Sequence, residues 1–174
     1  MTTTASGISA TTVTTDQQAP LGFQLRVPQA QDDATATADQ GDQVWTYVFN
    51  DEAATAFAAG DIVIRDPSAA TQDMYGVIQA PATTAAHAFT VVGVAQHAIA
   101  AGSYGFVLTK GRGLLRTGTQ NMTEDTVCTS GGASAGCALI YADGTIGAIE
   151  IGFSLEAEAA DNTTFDAYIN CLGA

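Results

Sequence analysis

The sequence is organised by short stretches in which apolar and polar residues alternate with a period of two. Residues 149–155 and 165–171 each place apolar side chains on one face and polar side chains on the other, which is typical of strands in an antiparallel sheet. Trp45, Tyr47 and Phe49 form the strongest aromatic stripe of this kind. The spacing of these stretches predicts a mainly β protein, either an antiparallel β-sandwich or a small β-barrel. The predicted strands are residues 21–27, 44–49, 62–64, 75–78, 89–95, 104–109, 127, 138–141, 147–155 and 165–172.

Two local signals complete the predicted secondary structure. Asn50 is a good N-cap, residues 53–59 favour a helix and Gly60 can end it in the left-handed conformation, so one short helix is predicted here. Asp143 and Gly144 predict a tight type I′ hairpin turn, since that turn needs positive φ angles. No self-similarity with a period of about 20 to 50 residues is visible, which argues against solenoids and propellers.

Large apolar residues are concentrated in the later part of the chain. The sequence therefore divides into an extended N-terminal arm and linker, residues 1–43, and a β-rich body, residues 44–174. The first part of the arm consists mainly of Thr and Ala and has no periodic apolar face. Such a segment cannot bury enough surface to become ordered alone, but it can order against a partner and form strand hydrogen bonds there.

The chain is strongly acidic, with 18 Asp and Glu residues, 5 Lys and Arg residues and a net charge of −13. Nucleic acid and anionic membrane surfaces would be repelled, so neither is an expected partner. No apolar run is long enough to span a bilayer. The N-terminus lacks the basic and apolar regions of a secretory signal, so export is not expected.

Cys128, Cys137 and Cys171 are an odd number of cysteines in a chain long enough to fold without disulfides. This favours a reducing cytosolic origin and three reduced thiols. A disulfide between Cys128 and Cys137 across a glycine-rich segment is the alternative.

No set of residues with catalytic spacing emerges. Residues 132–136 match the G-x-S-x-G pattern of hydrolases, but no His follows His97 to complete a triad in that chain order. His87 and His97 lack the spacing of a zinc site. The acidic pair Asp32 and Asp33 lacks the EF-hand spacing, which leaves only adventitious surface calcium. We therefore predict no enzymatic activity, no cofactor and no metal site.

Three of the 5 basic residues, Lys110, Arg112 and Arg116, fall within seven positions and are interleaved with two glycines. No phosphate-binding glycine motif surrounds them. Two interpretations remain open. The segment is either a solvated turn whose cations offset the acidic surface, or a contact for an acidic partner or another copy of the chain.

Four segments of the body resemble small virion proteins encoded near the major capsid protein in tailed bacteriophages. In that group an aromatic strand is followed by a small-residue stretch into AAGD and a β-branched strand, then by GVA, an IxAG turn and YGFV. The same order occurs here between residues 44 and 117. The matching segments are 45–49 (WTYVF), 57–63 (FAAGDIV), 91–95 (VVGVA) and 99–107 (IAAGSYGFV).

The resemblance implies a head decoration protein, also called a cement protein. Such a protein is a non-enzymatic β-rich subunit, commonly a homotrimer, that binds the outer capsid surface of the virion and bridges copies of the major capsid protein. It is made in the host cytoplasm, and its N-terminal segment often becomes ordered against the capsid. In this sequence, the arm positions expected to contact the capsid are Ile8, Val13, Leu21 and Phe23.

Two alternative functions remain. One is another phage virion β module, such as a head fibre base or a tail or baseplate component, which its position on the particle would distinguish. The other is a glycan-binding surface β domain, for which an exposed Trp45 ring is the expected feature.

Overall fold

The molecule is built from β-strands. A computed structural model describes residues 8–28, 41–66, 75–82, 91–131, 134–141 and 150–171. These residues form ten strands joined in one mixed sheet, so the predicted mainly β class is confirmed. None of the described residues is helical, and therefore none belongs to an apolar helix long enough to cross a membrane. The predicted hairpin at Asp143 and Gly144, the pair Asp32 and Asp33, and His87 lie outside the described residues.

The predicted strands are present wherever their residues are described, although their ends shift. Strand β6 differs most from prediction, because it continues through the basic segment to a length of 13 residues. The strands are β1 Gln24–Val27, β2 Gln43–Asn50, β3 Ile62–Arg65, β4 Gly76–Gln79, β5 Val91–Ala95, β6 Tyr104–Arg116, β7 Val127–Ser130, β8 Ala138–Ile140, β9 Glu150–Ser154 and β10 Thr164–Asn170.

The predicted short helix after Asn50 is wrong. Asn50 does begin the segment like an N-cap, since its Oδ1 accepts a hydrogen bond from Glu52 N at 3.1 Å. The chain then forms a loop in which Phe57 and Ile99 exchange two backbone hydrogen bonds, of 2.9 and 3.2 Å. Phe57 is only 1% exposed. Burial of this ring and non-local backbone bonding therefore override the local helix propensity.

The predicted antiparallel arrangement is also corrected, because the sheet is mixed. Strands β2 and β4 are parallel, with Phe49 opposite Gly76 and Asn50 opposite Val77. Strand β2 also pairs antiparallel with β6. Because β4 pairs with β3, β3 with β5 and β5 with β6, these five strands form a closed ring of pairings.

A second ring repeats the first one. The second half of β6 pairs with β10, followed by the pairs β10–β9, β9–β7 and β7–β8. A parallel bridge between Thr117 and Ala138 links the segment after β6 to β8, as β2 is linked to β4. We call the ring of β2, β4, β3, β5 and residues 104–110 of β6 unit 1. Unit 2 contains residues 110–117, β8, β7, β9 and β10.

The two units share their strand register. In unit 1, Val63 lies opposite Gly93, and in unit 2 Cys128 lies opposite Gly152. A register shift follows at the next residue in both places. Both glycines pack against a neighbouring backbone: a Cβ would lie 2.8 Å from Leu108 O at Gly93 and 1.9 Å from Tyr168 O at Gly152. The two units are therefore equivalent even at the positions where the strand register shifts.

The loops of the two units are equivalent as well. The bridge between Phe57 and Ile99 in unit 1 has its counterpart between Met122 and Glu158 in unit 2. A residue with positive φ follows each of these four positions before the next strand begins. These residues are Gly60 (87°), Gly102 (70°), Asp125 (59°) and Asn162 (56°).

Two buried clusters stabilise the sheet. The smaller cluster takes one fully buried valine from each strand of unit 1. The larger cluster contains buried residues from both units and includes Tyr47, Phe106 and Phe165. Both faces of the unit 1 strands are therefore covered. The five valines are Val48, Val63, Val77, Val92 and Val107.

The described part of the N-terminal arm packs on unit 1. Thr14 and Tyr104 exchange backbone hydrogen bonds of 3.1 and 2.8 Å, and Tyr47 N donates to Phe23 O at 2.9 Å. Strand β1 pairs antiparallel with β2. The four arm positions expected to contact a capsid are half-buried against the two clusters: Ile8, Val13, Leu21 and Phe23.

Candidate binding surface

The basic segment 110–116 is part of strand β6, so its interpretation as a turn is wrong. Strand β10 pairs with this segment along its whole length. The glycine that suggested a turn at position 113 permits close packing instead. A Cβ on Gly113 would lie 2.4 Å from the Leu108 side chain.

Arg116 is engaged inside the protein. Its Nη2 lies 2.5 Å from Oδ1 of Asp61, whose side chain is completely buried. The other carboxylate oxygen of Asp61 accepts hydrogen bonds from Ala58 N at 2.8 Å and Gln79 Nε2 at 2.6 Å. This ion pair joins unit 2 to unit 1, and breaking a buried pair of this kind leaves an uncompensated charge.

The other two basic residues of the segment lie nearer the surface. Arg112 forms an ion pair with Asp166 on β10. Lys110 is exposed and forms no ion pair with the described residues. The structure therefore separates the three predicted site residues into one internal cation and two at the surface.

A row of four exposed or half-buried side chains crosses unit 2. Val127 lies opposite Phe153, Phe153 opposite Tyr168 and Tyr168 opposite Arg112. Among the described residues, Val127 and Phe153 are the exposed large hydrophobic side chains, at 36% and 39%. The rings of Phe153 and Tyr168 stack with centroids 5.5 Å apart and planes inclined by 22°. We call these four residues the second row.

A groove of about 690 Å³ adjoins the second row at Tyr168. Two cations, Arg26 and Lys110, line it, and Arg26 forms an ion pair with Asp42. Together with Arg112, three of the 5 basic residues of the chain lie on or beside the second row. Carboxylates lie here as well, since Asp42 pairs with Arg26, Asp166 pairs with Arg112 and Glu150 borders the exposed apolar side chains. Lys110 is the cation of this surface that forms no ion pair with the described residues. The groove is lined by Gln24, Arg26, Asp42, Val44, Lys110 and Tyr168.

The Trp45 ring is not accessible to a ligand. Its side chain is 7% exposed, and its Nε1 donates a hydrogen bond to Gln43 Oε1 at 3.3 Å. The exposed tryptophan expected for a glycan-binding domain is therefore absent at this position.

The cysteines are unsuited to nucleophilic chemistry. All three are free thiols and buried, so the alternative of a disulfide between Cys128 and Cys137 does not hold. Burial raises the pKa of Cys128 and of Cys171 to about 12, and it also raises the pKa of Cys137. The thiolate is the reactive form of cysteine, so such pKa values suppress reactivity.

The remaining candidate residues form no assembled site. Ser134 of the G-x-S-x-G segment lies in a bend, and its carbonyl oxygen accepts a hydrogen bond from Cys137 N at 3.4 Å. The half-buried His97 has a pKa lowered by desolvation. Within the described ranges, no three His, Cys, Asp or Glu side chains converge to hold a metal ion.

Sequence alternation placed Phe153 on the buried face with Ile151, and this prediction is wrong. Ile151 is fully buried, but Phe153 points to solvent. The cause is the irregularity at Gly152, where φ is 147° and the pairing with β7 shifts register. A bulge of this kind changes the direction of the following side chains. A glycine inside a strand pattern is the sequence signal for such a bulge.

Comparison with known proteins does not identify the chain. No protein-family model matches it, and no curated protein shows significant similarity to it.

Proposed function

We propose that this protein is a non-enzymatic structural protein of a phage virion, a head decoration protein that binds the outer capsid surface and bridges major capsid subunits. The observation that carries the assembly role in this proposal, as a subunit that contacts other protein subunits, is the second row. An exposed apolar stripe beside cations, on a chain of net charge −13, is the kind of surface that mediates protein contacts.

The positions of the virion-like segments support the proposal. The four segments form β2, β3, β5 and the first half of β6 with the loops before β3 and β6. They therefore supply four of the five strands of unit 1. We propose further that each ring is a small β-barrel, which would make the body a rigid clamp between capsid subunits.

The proposed mechanism is bridging. Each copy adds a modest contact, and many copies on one lattice add up to a large gain in resistance to internal pressure. The partners are the major capsid protein and further copies of this chain, expected as a homotrimer. Nucleic acid, membrane and cofactors have no part in this mechanism.

Capsid binding is tested by co-sedimentation. The purified protein is mixed with expanded capsids assembled from the major capsid protein of the same genome, and bound protein is quantified in the pellet. We expect saturable binding and a higher temperature of capsid disruption. Unexpanded capsids, which lack the final lattice, serve as the control. No binding to expanded capsids would contradict the proposal.

The arm is the proposed capsid contact, through Ile8, Val13, Leu21 and Phe23. Because these side chains are half-buried on unit 1, binding through them requires the arm to leave the body. Thr14 and Tyr104 form a hydrogen-bonded antiparallel pair, whose Cα separation of about 5.5 Å suits a disulfide. A double variant, Thr14→Cys with Tyr104→Cys, would lock the arm in place.

We expect the oxidised double variant to lose capsid binding at least 10-fold and the reduced form to bind like the native protein. The matched control is the same variant before and after addition of reductant, since the native thiols are buried. Equal binding by both forms would remove arm release from the mechanism and leave capsid binding itself unaffected.

A further inference from the structure

Unit 1 contains a row equivalent to the second row, but this row is buried. Ile62 lies opposite Val94, Val94 opposite Leu108 and Leu108 opposite Trp45. These pairs occupy the same register positions as Val127, Phe153, Tyr168 and Arg112 in unit 2. The first three residues are 0% exposed and Trp45 is 7% exposed. We call these four residues of unit 1 the first row.

Unit 2 is what covers this part of unit 1. The Leu108 side chain lies against Gly113 of the second half of β6. Next to it, Arg116 N donates to Gly60 O at 3.1 Å, and Ile62 N donates to Gly136 O at 2.8 Å. Unit 2 therefore packs on the first row at Leu108 and at Ile62.

The arm also packs on unit 1, next to the first row, because Leu25 of β1 lies opposite Trp45. Tyr47 exchanges backbone hydrogen bonds with the arm, since Gly22 N donates to Tyr47 O at 2.8 Å and Tyr47 N donates to Phe23 O. Leu114 is the equivalent residue of unit 2, and both of its backbone groups bond the Gln96 side chain of unit 1, at 2.7 and 3.0 Å. Unit 2 therefore contacts unit 1 through Leu114, and strand β1 of the arm lies beside the second row, because Gln24, Arg26 and Tyr168 line one groove.

We infer that the second row binds a second copy of this chain, head to tail, as unit 2 binds the first row within the chain. The inference rests on the proposed self-association and not on capsid binding. None of the described residues covers Val127 and Phe153 as unit 2 covers Leu108, and exposed apolar side chains that lie together are typical of a protein contact. Lys110, which is exposed beside this face and forms no ion pair with the described residues, complements the acidic surface that a second copy presents. A head-to-tail contact that closes on itself gives a ring, and the expected ring is the homotrimer.

Phe153 is the residue to change, because it is the most exposed apolar side chain of the row. Phe153→Asp places a charge in the contact, whereas Phe153→Leu keeps an apolar side chain and serves as the matched control. The mass of each protein is measured by light scattering after size exclusion over a range of concentrations. Circular dichroism and thermal melting confirm that both variants fold.

We expect the native protein and Phe153→Leu to have three times the 17.7 kDa chain mass, and Phe153→Asp to be monomeric with self-association weakened at least 10-fold. Lys110→Glu should weaken the trimer in low salt, whereas Lys110→Arg should not. A native protein that is monomeric at all concentrations overturns the inference, and so does a Phe153→Asp trimer. A dimer would indicate two-fold pairing and would also overturn the head-to-tail contact.

Capsid binding is measured separately with the same variants. If Phe153→Asp leaves the oligomer intact but abolishes capsid binding, the second row belongs to the capsid contact and the inference is wrong. If Phe153→Asp abolishes the trimer while isolated subunits still bind capsids weakly, the inference holds and the decoration function is retained.

Discussion

The two units of this protein have the same strand pairing but opposite exposure. Ile62, Val94 and Leu108 are buried, whereas their counterparts in unit 2 are open or half-open to solvent. The residues of the second row are nevertheless still apolar or aromatic, apart from Arg112. A surface that keeps this character without being covered inside the chain is typical of a protein contact. Whether an apolar row belongs to the core or to an exposed surface therefore depends on which part of the chain packs against it.

The largest expected effect comes from the ion pair between the units. Asp61→Ala leaves the half-buried Arg116 without its carboxylate and two donors without an acceptor. We expect a loss of about 3–5 kcal/mol in the free energy of unfolding, measured by urea denaturation. Thr126→Ala, at the equivalent position of unit 2, should cost less than about 1 kcal/mol. Similar losses of unfolding free energy for both variants would show that the ion pair does not stabilise the contact between the units.

The next effect compares a buried side chain of unit 1 with the exposed side chain at the equivalent position of unit 2. Ile62→Ala removes a fully buried side chain at the start of β3 and should cost about 2–4 kcal/mol. Val127→Ala, at the same place in β7, should cost about 0.5 kcal/mol in the monomer because the side chain is already 36% exposed. The measurement is made at a concentration where the protein is monomeric. A large loss for Val127→Ala would mean that the second row is part of the core.

A smaller effect tests the stacking of the units. Gln96→Ala leaves the backbone N–H and C=O of Leu114 without their side-chain partner, at a cost of about 1–3 kcal/mol. Leu155→Ala changes the equivalent residue of unit 2, whose half-buried apolar side chain makes no such bond, and should cost about 1 kcal/mol or less. Hydrogen exchange at Leu114 should rise in the Gln96 variant alone. Unchanged exchange would show that this contact does not hold the units together.

The smallest effect appears only at alkaline pH. The raised pKa of Cys128 means that this thiol stays protonated when folded but ionises above about 9 when unfolded. The contribution of this thiol to the free energy of unfolding is therefore fully present below pH 9. It is lost as pH rises towards 12, by up to about 1.4 kcal/mol per pH unit. Cys128→Val, which introduces the residue of unit 1, should make stability between pH 9 and 10 less dependent on pH. The same slope in both proteins would contradict this assignment.

Alternation of apolar residues was sufficient to predict nearly every strand, because a half-buried sheet imposes a period of two on the chain. In β10 it also predicted the buried face correctly, with Phe165, Ala167 and Ile169 inside. In β9 it failed at Phe153, since the bulge at Gly152 depends on pairing with β7 and β10. The short helix failed for a similar reason, because the bonds of Phe57 to Ile99 are not local.

The repeat between the units was not visible in the sequence. Equivalent positions, such as Leu108 and Tyr168 or Trp45 and Arg112, have little chemical similarity, and only their strand register relates them. The basic segment was found, but its three cations were separated by the fold. Arg116 is engaged by Asp61, which the sequence shows as an ordinary acidic residue before a strand.

The sequence by itself therefore determined the β class, the acidic charge and the strands, because these follow from composition and from local periodicity. The tertiary structure alone decided which apolar rows are covered, which cations face solvent and which segments are equivalent. These properties depend on contacts between residues far apart in the chain, and no local pattern encodes which strand becomes the neighbour of another. The second row is mostly apolar in sequence, like Ile62, Val94 and Leu108 of unit 1, but Leu108 packs against Gly113 of unit 2, whereas none of the described residues buries Val127 and Phe153.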